Sequence, residues 1–103
     1  MLQRYNSTMA KPNLDKDKKL LIDNLRKLKS SKDLANFIDD LLTEEEILDL
    51  AQRLKIAKLI LEGKTYDEIA EKVGTSTSTI SKIGQVIKYG KGGLKKAIGN
   101  KGR

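Results

Sequence analysis

The sequence predicts an all-α protein built around a helix-turn-helix, and three observations predict it. Apolar residues recur at helical spacing through residues 14–42. Residues 43–63 form a long apolar stretch between a start signal at Thr43 and a stop signal at Gly63. Residues 65–89 carry small, apolar and glycine residues at the intervals that hold two short helices at a fixed angle.

Composition narrows the function before any motif is read. With 103 residues the chain makes one domain with a thin core, and with 4% aromatic residues that core is aliphatic. There is no Cys and no His, which removes disulfides, thiolate metal sites, cysteine nucleophiles and the commonest general base. No enzyme, no metal and no cofactor is expected. No apolar run reaches the roughly 20 residues of a membrane helix, and Met1–Lys11 lacks the apolar segment of a secretory signal. The expected location is cytoplasmic, with no membrane partner.

The net charge of +7 is unevenly placed. Up to Lys72 the chain has 14 basic and 14 acidic residues, and beyond it seven basic residues and no acid: Lys82, Lys88, Lys91, Lys95, Lys96, Lys101 and Arg103. A neutral body with a uniformly basic end suits a polyanion partner, of which double-stranded DNA is the leading case; a solubilising lysine tail is the plain alternative.

The elements follow in order. Residues 1–13 are polar, contain the only proline and read as a disordered arm. Residues 14–90 read as a single helical domain. Leu14, Leu21, Leu25 and Leu28, widened by Leu20 and Ile22, give an amphipathic helix over Leu14–Lys29. Ser30-Ser31 interrupts it, and Ser31 can cap a second helix to Leu42 with Leu34, Phe37, Ile38, Leu41 and Leu42 on one face. Thr43-Glu44-Glu45-Glu46 is a capping box opening the longest helix, which Gly63 ends. That helix is apolar nearly all round and must be covered nearly all round. The rest of so small a chain has little material to do this, which favours a homodimer with the helix at its centre; a monomer covering two faces is the alternative. Residues 91–103 read as a basic flexible tail, with room for a short helix at Leu94–Ile98.

The one specific constellation is Thr65–Gln85, TYDEIAEKVGTSTSTISKIGQ. Thr65 caps a short helix whose inner face is Ile69, Ala70 and Val73. Gly74 permits the sharp turn, and Ser76 caps a second helix with Ile80 and Ile83 inside. Small Ala70 allows close crossing, and the four branched residues set the angle. The second helix then stands outward with Thr77, Ser78, Ser81, Lys82 and Gln85 on its free side. Short hydroxyls admit a helix deep into the major groove, Lys82 can reach a phosphate or guanine, and Gln85 can read adenine. A low-complexity linker, or a helix pair used only for protein contact, are the competing readings of TSTSTIS.

From Asp40 to Gly93 the chain resembles the Trp-repressor superfamily, closest to its YerC/YecD type of Trp-repressor-related protein. The blocks behind this are Asp39-Asp40-Leu41-Leu42-Thr43, Leu50-Ala51-Gln52-Arg53-Leu54, Gly63-Lys64-Thr65-Tyr66, Glu68-Ile69-Ala70, Ser76-Thr77-Ser78-Thr79-Ile80-Ser81 and Tyr89-Gly90. The resemblance implies an intertwined homodimer of helices with two recognition helices in successive major grooves, and DNA-facing positions at Thr77, Ser78, Thr79 and Ser81. It also implies a relic of an amino-acid pocket at Thr43, Arg53 and Lys82. Of the two arginines that flank the bound indole in that family, the first matches Arg53 and the second falls on Lys82, which has no planar guanidinium. The following glycine falls on Ile83, which fills the space. Tryptophan is therefore not expected as corepressor. Thr43 is explained equally by capping, and Arg53 by pairing with an acid.

The function expected is a sequence-specific, dimeric helix-turn-helix regulator of transcription. The runner-up is a protein-interaction module using the helix-turn-helix as scaffold. Gly90-Lys91-Gly92-Gly93 is not a phosphate loop, since it lacks the Walker spacing and follows a helix; Gly90 reads as the C′ glycine of the recognition helix. The first-turn acids Glu44, Glu45, Glu46 and Asp49 suit the helix dipole without a metal.

Overall fold

Most helix starts in this chain are set by a short polar side chain placed three residues ahead of an unbonded amide, the geometry that satisfies an orphan N–H. Asn13 Oδ1 accepts from the Lys16 amide at 3.0 Å, Ser30 Oγ from Asp33 at 3.0 Å, Thr43 Oγ1 from Glu46 at 3.1 Å, Thr65 Oγ1 from Glu68 at 3.1 Å, and Ser76 Oγ from Thr79 at 3.2 Å. The structure, a computed structural model, describes residues 11–99. The helices are α1 (Leu14–Arg26), α2 (Ser31–Leu41), α3 (Glu44–Leu61), α4 (Tyr66–Val73), α5 (Thr77–Tyr89) and α6 (Gly93–Ile98). Only α6 starts without a side-chain cap.

Two starts carry the full reciprocal box. The Glu46 carboxylate accepts from the Thr43 amide, and Glu68 from the Thr65 amide, each at 2.8 Å. The box at Thr43 was legible; the one at Thr65 uses the same spacing. Ser30, not Ser31, caps α2, because its hydroxyl is the one that lies three residues before the Asp33 amide. Helix α1 stops at Arg26, short of the expected Lys29, where Lys27 and Leu28 switch to bonds three residues back and tighten the last turn.

Helix α3 ends as expected. Gly63 adopts φ +89°, its amide donates to the Ile60 carbonyl, and the Lys64 amide reaches back to Leu59. This crossed pair satisfies the last carbonyls and needs a residue tolerant of the left-handed region. Gly90 differs from expectation. It caps α5 with φ −84° and ψ −155°, an extended rather than left-handed geometry.

The chain divides into two compact units at Leu41/Leu42, where the sequence reading set one domain over 14–90. The division has a physical basis: the buried core belongs entirely to the second unit. Ile56 and Ala57 of α3, Ile69 of α4, and Ile80 and Ile83 of α5 form it, flanked by Leu59, Ile60, Tyr66, Ala70, Val73, Ile87, Leu94 and Ile98. In the first unit no residue of α1 or α2 is buried, and Leu14 is 75% exposed.

Residues 91–103 are not a free tail throughout. Residues 93–98 form α6, which lies against α3 and sets Leu94 and Ile98 on the core. The arm over 1–10 and the last residues, 100–103, lie outside the described part. Among the described residues no helix is long and apolar enough to cross a membrane.

Candidate nucleic-acid interface

The site is assembled from α3 upward. Ile56, Ala57 and Ile60 offer an aliphatic floor against which α4 and α5 both pack. Helix α4 contributes Ile69, with Ala70 and Val73 half-buried beside it. Gly74 then takes φ +78°, a backbone state that a side chain would strain, and donates to the Ala70 carbonyl at 2.9 Å. Two residues later Ser76 caps α5, and Ile80 and Ile83 return to the same floor. The spacing read from the sequence thus produces two helices clamped through one cluster. Five of the six clamp residues lie in or against it: Ile69, Ala70, Val73, Ile80 and Ile83. Gly74 makes the turn.

One contact in this clamp was not anticipated. Gly84 is buried in the middle of α5, directly under the Tyr66 hydroxyl at the start of α4. Its lack of a β-carbon lets the phenol ring fill the angle between the two helices. The only sequence signal was a glycine inside a helical pattern, which marks close approach as often as weakness.

The outer side of α5 is graded. Thr77, Ser78, Lys82 and Gln85 are exposed. Thr79 and Ser81 are half-buried, and the Thr79 hydroxyl lies 3.2 Å from Ser76 Oγ within the cap. Thr77, Ser78, Lys82 and Gln85 therefore form the accessible head, with Thr79 and Ser81 withdrawn toward the body. No acid follows Glu71 anywhere in the sequence, so the field at this face comes from the positive end of α5 and from lysines. Helix α4 contrasts with it, exposing Asp67, Glu68 and Glu71. The Glu68 carboxyl is held below the usual carboxylate range, first by its bond to the Thr65 amide and then by the Thr65 hydroxyl.

Thr43, Arg53 and Lys82, expected as the relic of a pocket, are each exposed. Thr43 is engaged in its capping box. Arg53 pairs with Asp49 one turn back at 3.6 Å, both side chains well exposed. Lys82 is exposed on α5. A cleft of about 620 Å³ runs between α3 and α4 past Leu48, Gln52, Lys55, Leu59, Lys72 and Val73.

Comparison with known proteins agrees with this geometry. The family model for the Trp repressor protein matches residues 16–101. The chain belongs to the Trp repressor family. Within that family it is 38% identical over 78 residues to the uncharacterised protein YerC of Bacillus subtilis strain 168, covering 76% of this chain and 75% of the relative. A crystal structure of a TrpR-like protein from Eubacterium eligens ATCC 27750 superposes with a TM-score of 0.71 at 38% identity, over 77% of this chain and 81% of that one. A candidate Trp repressor from Staphylococcus aureus does so with a TM-score of 0.71 at 33% identity, over 84% and 85%. The Trp repressor family is one of helix-turn-helix regulators, not of enzymes, and its members in general bind DNA as dimers. The all-helical, YerC-type reading of the sequence is borne out.

Proposed function

We propose that this Trp repressor family member is a dimeric regulator that reads a specific duplex DNA sequence through the head of α5. The observation that carries the reading is the opposed arrangement of one helix: Ile80 and Ile83 are buried beneath it, while Thr77, Ser78, Lys82 and Gln85 are exposed above. Small hydroxyls at the capped, positive end allow close approach to the groove floor. Lys82 and Gln85 supply longer donors one and two turns further along. Thr79 and Ser81 contribute at the margin of the head. The two-fold partner is a second copy of the chain. Leu50 and Leu54, one turn apart on α3, are each 47% exposed, and Leu48 on another side of the helix is 69% exposed, more uncovered apolar surface than a monomer usually leaves on one helix.

Tryptophan is not the effector in this reading. Ile83 stands where the family resemblance puts a small glycine beside the ligand, and Lys82 offers no planar face for an indole. The exposed acids of α4 favour the second reading, a protein-contact module, because Asp67 and Glu71 would repel a phosphate rail. Selection of bound duplexes from a random pool decides between them. A two-fold-symmetric consensus, with half-sites about one helical turn apart, is the expected result. Failure of the chain to retain any duplex at low salt would favour the protein-contact module.

A further inference from the structure

The seating of α6 changes what the basic end of the chain can do. Leu94 and Ile98 anchor it on the core, so Lys95 and Lys96 are held in place and exposed. The preceding turn brings Lys91 and Lys95 into the wall of one cleft of about 260 Å³, shared with Val86 and Ile87 of α5. Lys88 and Lys91 flank the end of α5, and Tyr89 between them is 77% exposed. Among the described residues none of these four lysines makes an ion pair. Four like charges fixed on one corner repel each other and are relieved by a polyanion.

The corner is distinct from the reading head. Lys88 lies eleven residues beyond Thr77 on α5, roughly 16 Å along the helix at 1.5 Å per residue. That exceeds the width of the major groove, about 12 Å. With its first turn at the base edges, α5 carries Lys88, and beyond it Lys91, Lys95 and Lys96, away from the base pairs which that turn contacts.

The geometry points to a second contact surface at the α5–α6 corner, where Lys88, Lys91, Lys95 and Lys96 grip the sugar–phosphate backbone of duplex DNA outside the base pairs that α5 reads. The surface is indifferent to sequence, adds affinity and fixes orientation. It rests on the reading that the protein binds duplex, but it does not need α5 to be selective.

The test uses the full chain and fluorescence anisotropy on mixed-sequence duplexes of about one and about three helical turns, over a salt series. The native chain is expected to bind the longer duplex more tightly per site and with a steeper salt dependence. Replacing all four lysines by Gln should reduce that length advantage to the part that a second α5 head supplies. It should also reduce the slope of log affinity against log salt by about 2–4 per subunit, while the preference for a selected site over its scrambled version stays unchanged. The matching Lys→Arg variant should behave as the native chain does, since charge and not packing is at issue. An unchanged slope in the Gln variant overturns the proposal. So does a Gln variant that binds duplex normally but no longer binds polyglutamate, which would assign the corner to an acidic protein. A native chain that binds duplex without preferring the selected site defeats the α5 reading alone. A native chain that binds no duplex defeats both.

Discussion

The Tyr66 hydroxyl rests on the backbone of Gly84, so the first residue of α4 touches the middle of α5 with no side chain between them. A β-carbon at position 84 would overlap the hydroxyl and lie 3.2 Å from Tyr66 Cζ. Two effects compete in Gly84→Ala. Alanine is favoured over glycine inside a helix by about 1 kcal/mol, whereas overpacking a filled site costs about 1–3 kcal/mol. The net expectation is a loss of about 1 kcal/mol, and weaker DNA binding because the head of α5 is displaced. In a Tyr66→Phe background the overlapping atom is gone, and the alanine should be neutral or stabilising. Urea unfolding of the four proteins measures the coupling; additive effects would mean that the ring and the glycine do not press on each other.

The capping box at Thr65 makes a prediction in pH. Glu68 accepts from the Thr65 amide at 2.8 Å, and its pKa is lowered. A carboxyl whose folded value is depressed stabilises the fold fully above its unfolded value, about 4.3, and loses that contribution as pH falls through the folded value. Glu68→Gln should therefore flatten the decline of melting temperature below about pH 5, with its cost present at pH 7 and fading in acid. Thr65→Ala should raise the Glu68 pKa toward its ordinary value, read by carboxyl NMR titration, and cost about 1 kcal/mol through loss of the cap. A Glu68 titration indifferent to Thr65→Ala would contradict the box.

Much of the site could be read from residue types because its rules are local. A serine or threonine three residues before an amide, a glycine after the last helical residue, and branched residues one turn apart act within a few ångströms of chain. Thr43, Gly63, Thr65, Ile69, Gly74, Ser76 and Ile80 all took their expected places on that account. What escaped depends on distant partners. Gly84 inside a helical pattern gives no sign of its partner, and its place is set by Tyr66, distant along the chain. The short helix at Leu94–Ile98 has room in the pattern, but its docking does not show there, because it is α3 that supplies the surface Leu94 and Ile98 need. The end of α5 escaped for a smaller reason: Gly90 was available for a left-handed turn, and the chain left in an extended state instead.

The uncovered leucines of α3 predict a quaternary state. Only Ile56 and Ala57 of its 18 residues are buried, while Leu48, Leu50 and Leu54 stand open. Burial of one leucine side chain is worth about 1.5–3 kcal/mol, and a two-fold interface counts it twice. Leu54→Glu should raise the dimer dissociation constant by roughly 10²–10⁴-fold and leave α4 and α5 folded, since Leu54 lies outside the core around Ile56. Sedimentation velocity is the measurement. A native chain that sediments as a monomer at every concentration would leave the α3 leucines without their proposed occupant.

Lys82 separates two kinds of DNA contact. It is exposed on α5, five residues past Thr77 and one residue before the buried Ile83, so its ammonium is carried on the free side of the head. That is about 7.5 Å along the helix from its first residue, within reach of a base edge near the groove wall. Lys82→Ala is expected to cost about 1–3 kcal/mol on the selected site and to relax the preference at one position in each half-site. Lys82→Arg should restore most of the affinity, because guanidinium offers the same charge with a bidentate fork for guanine. Binding to the selected and scrambled duplexes distinguishes the alternatives. An equal loss on both, with the salt slope lower by about one per subunit, would make Lys82 a phosphate anchor and move the reading of sequence onto Thr77, Ser78 and Gln85.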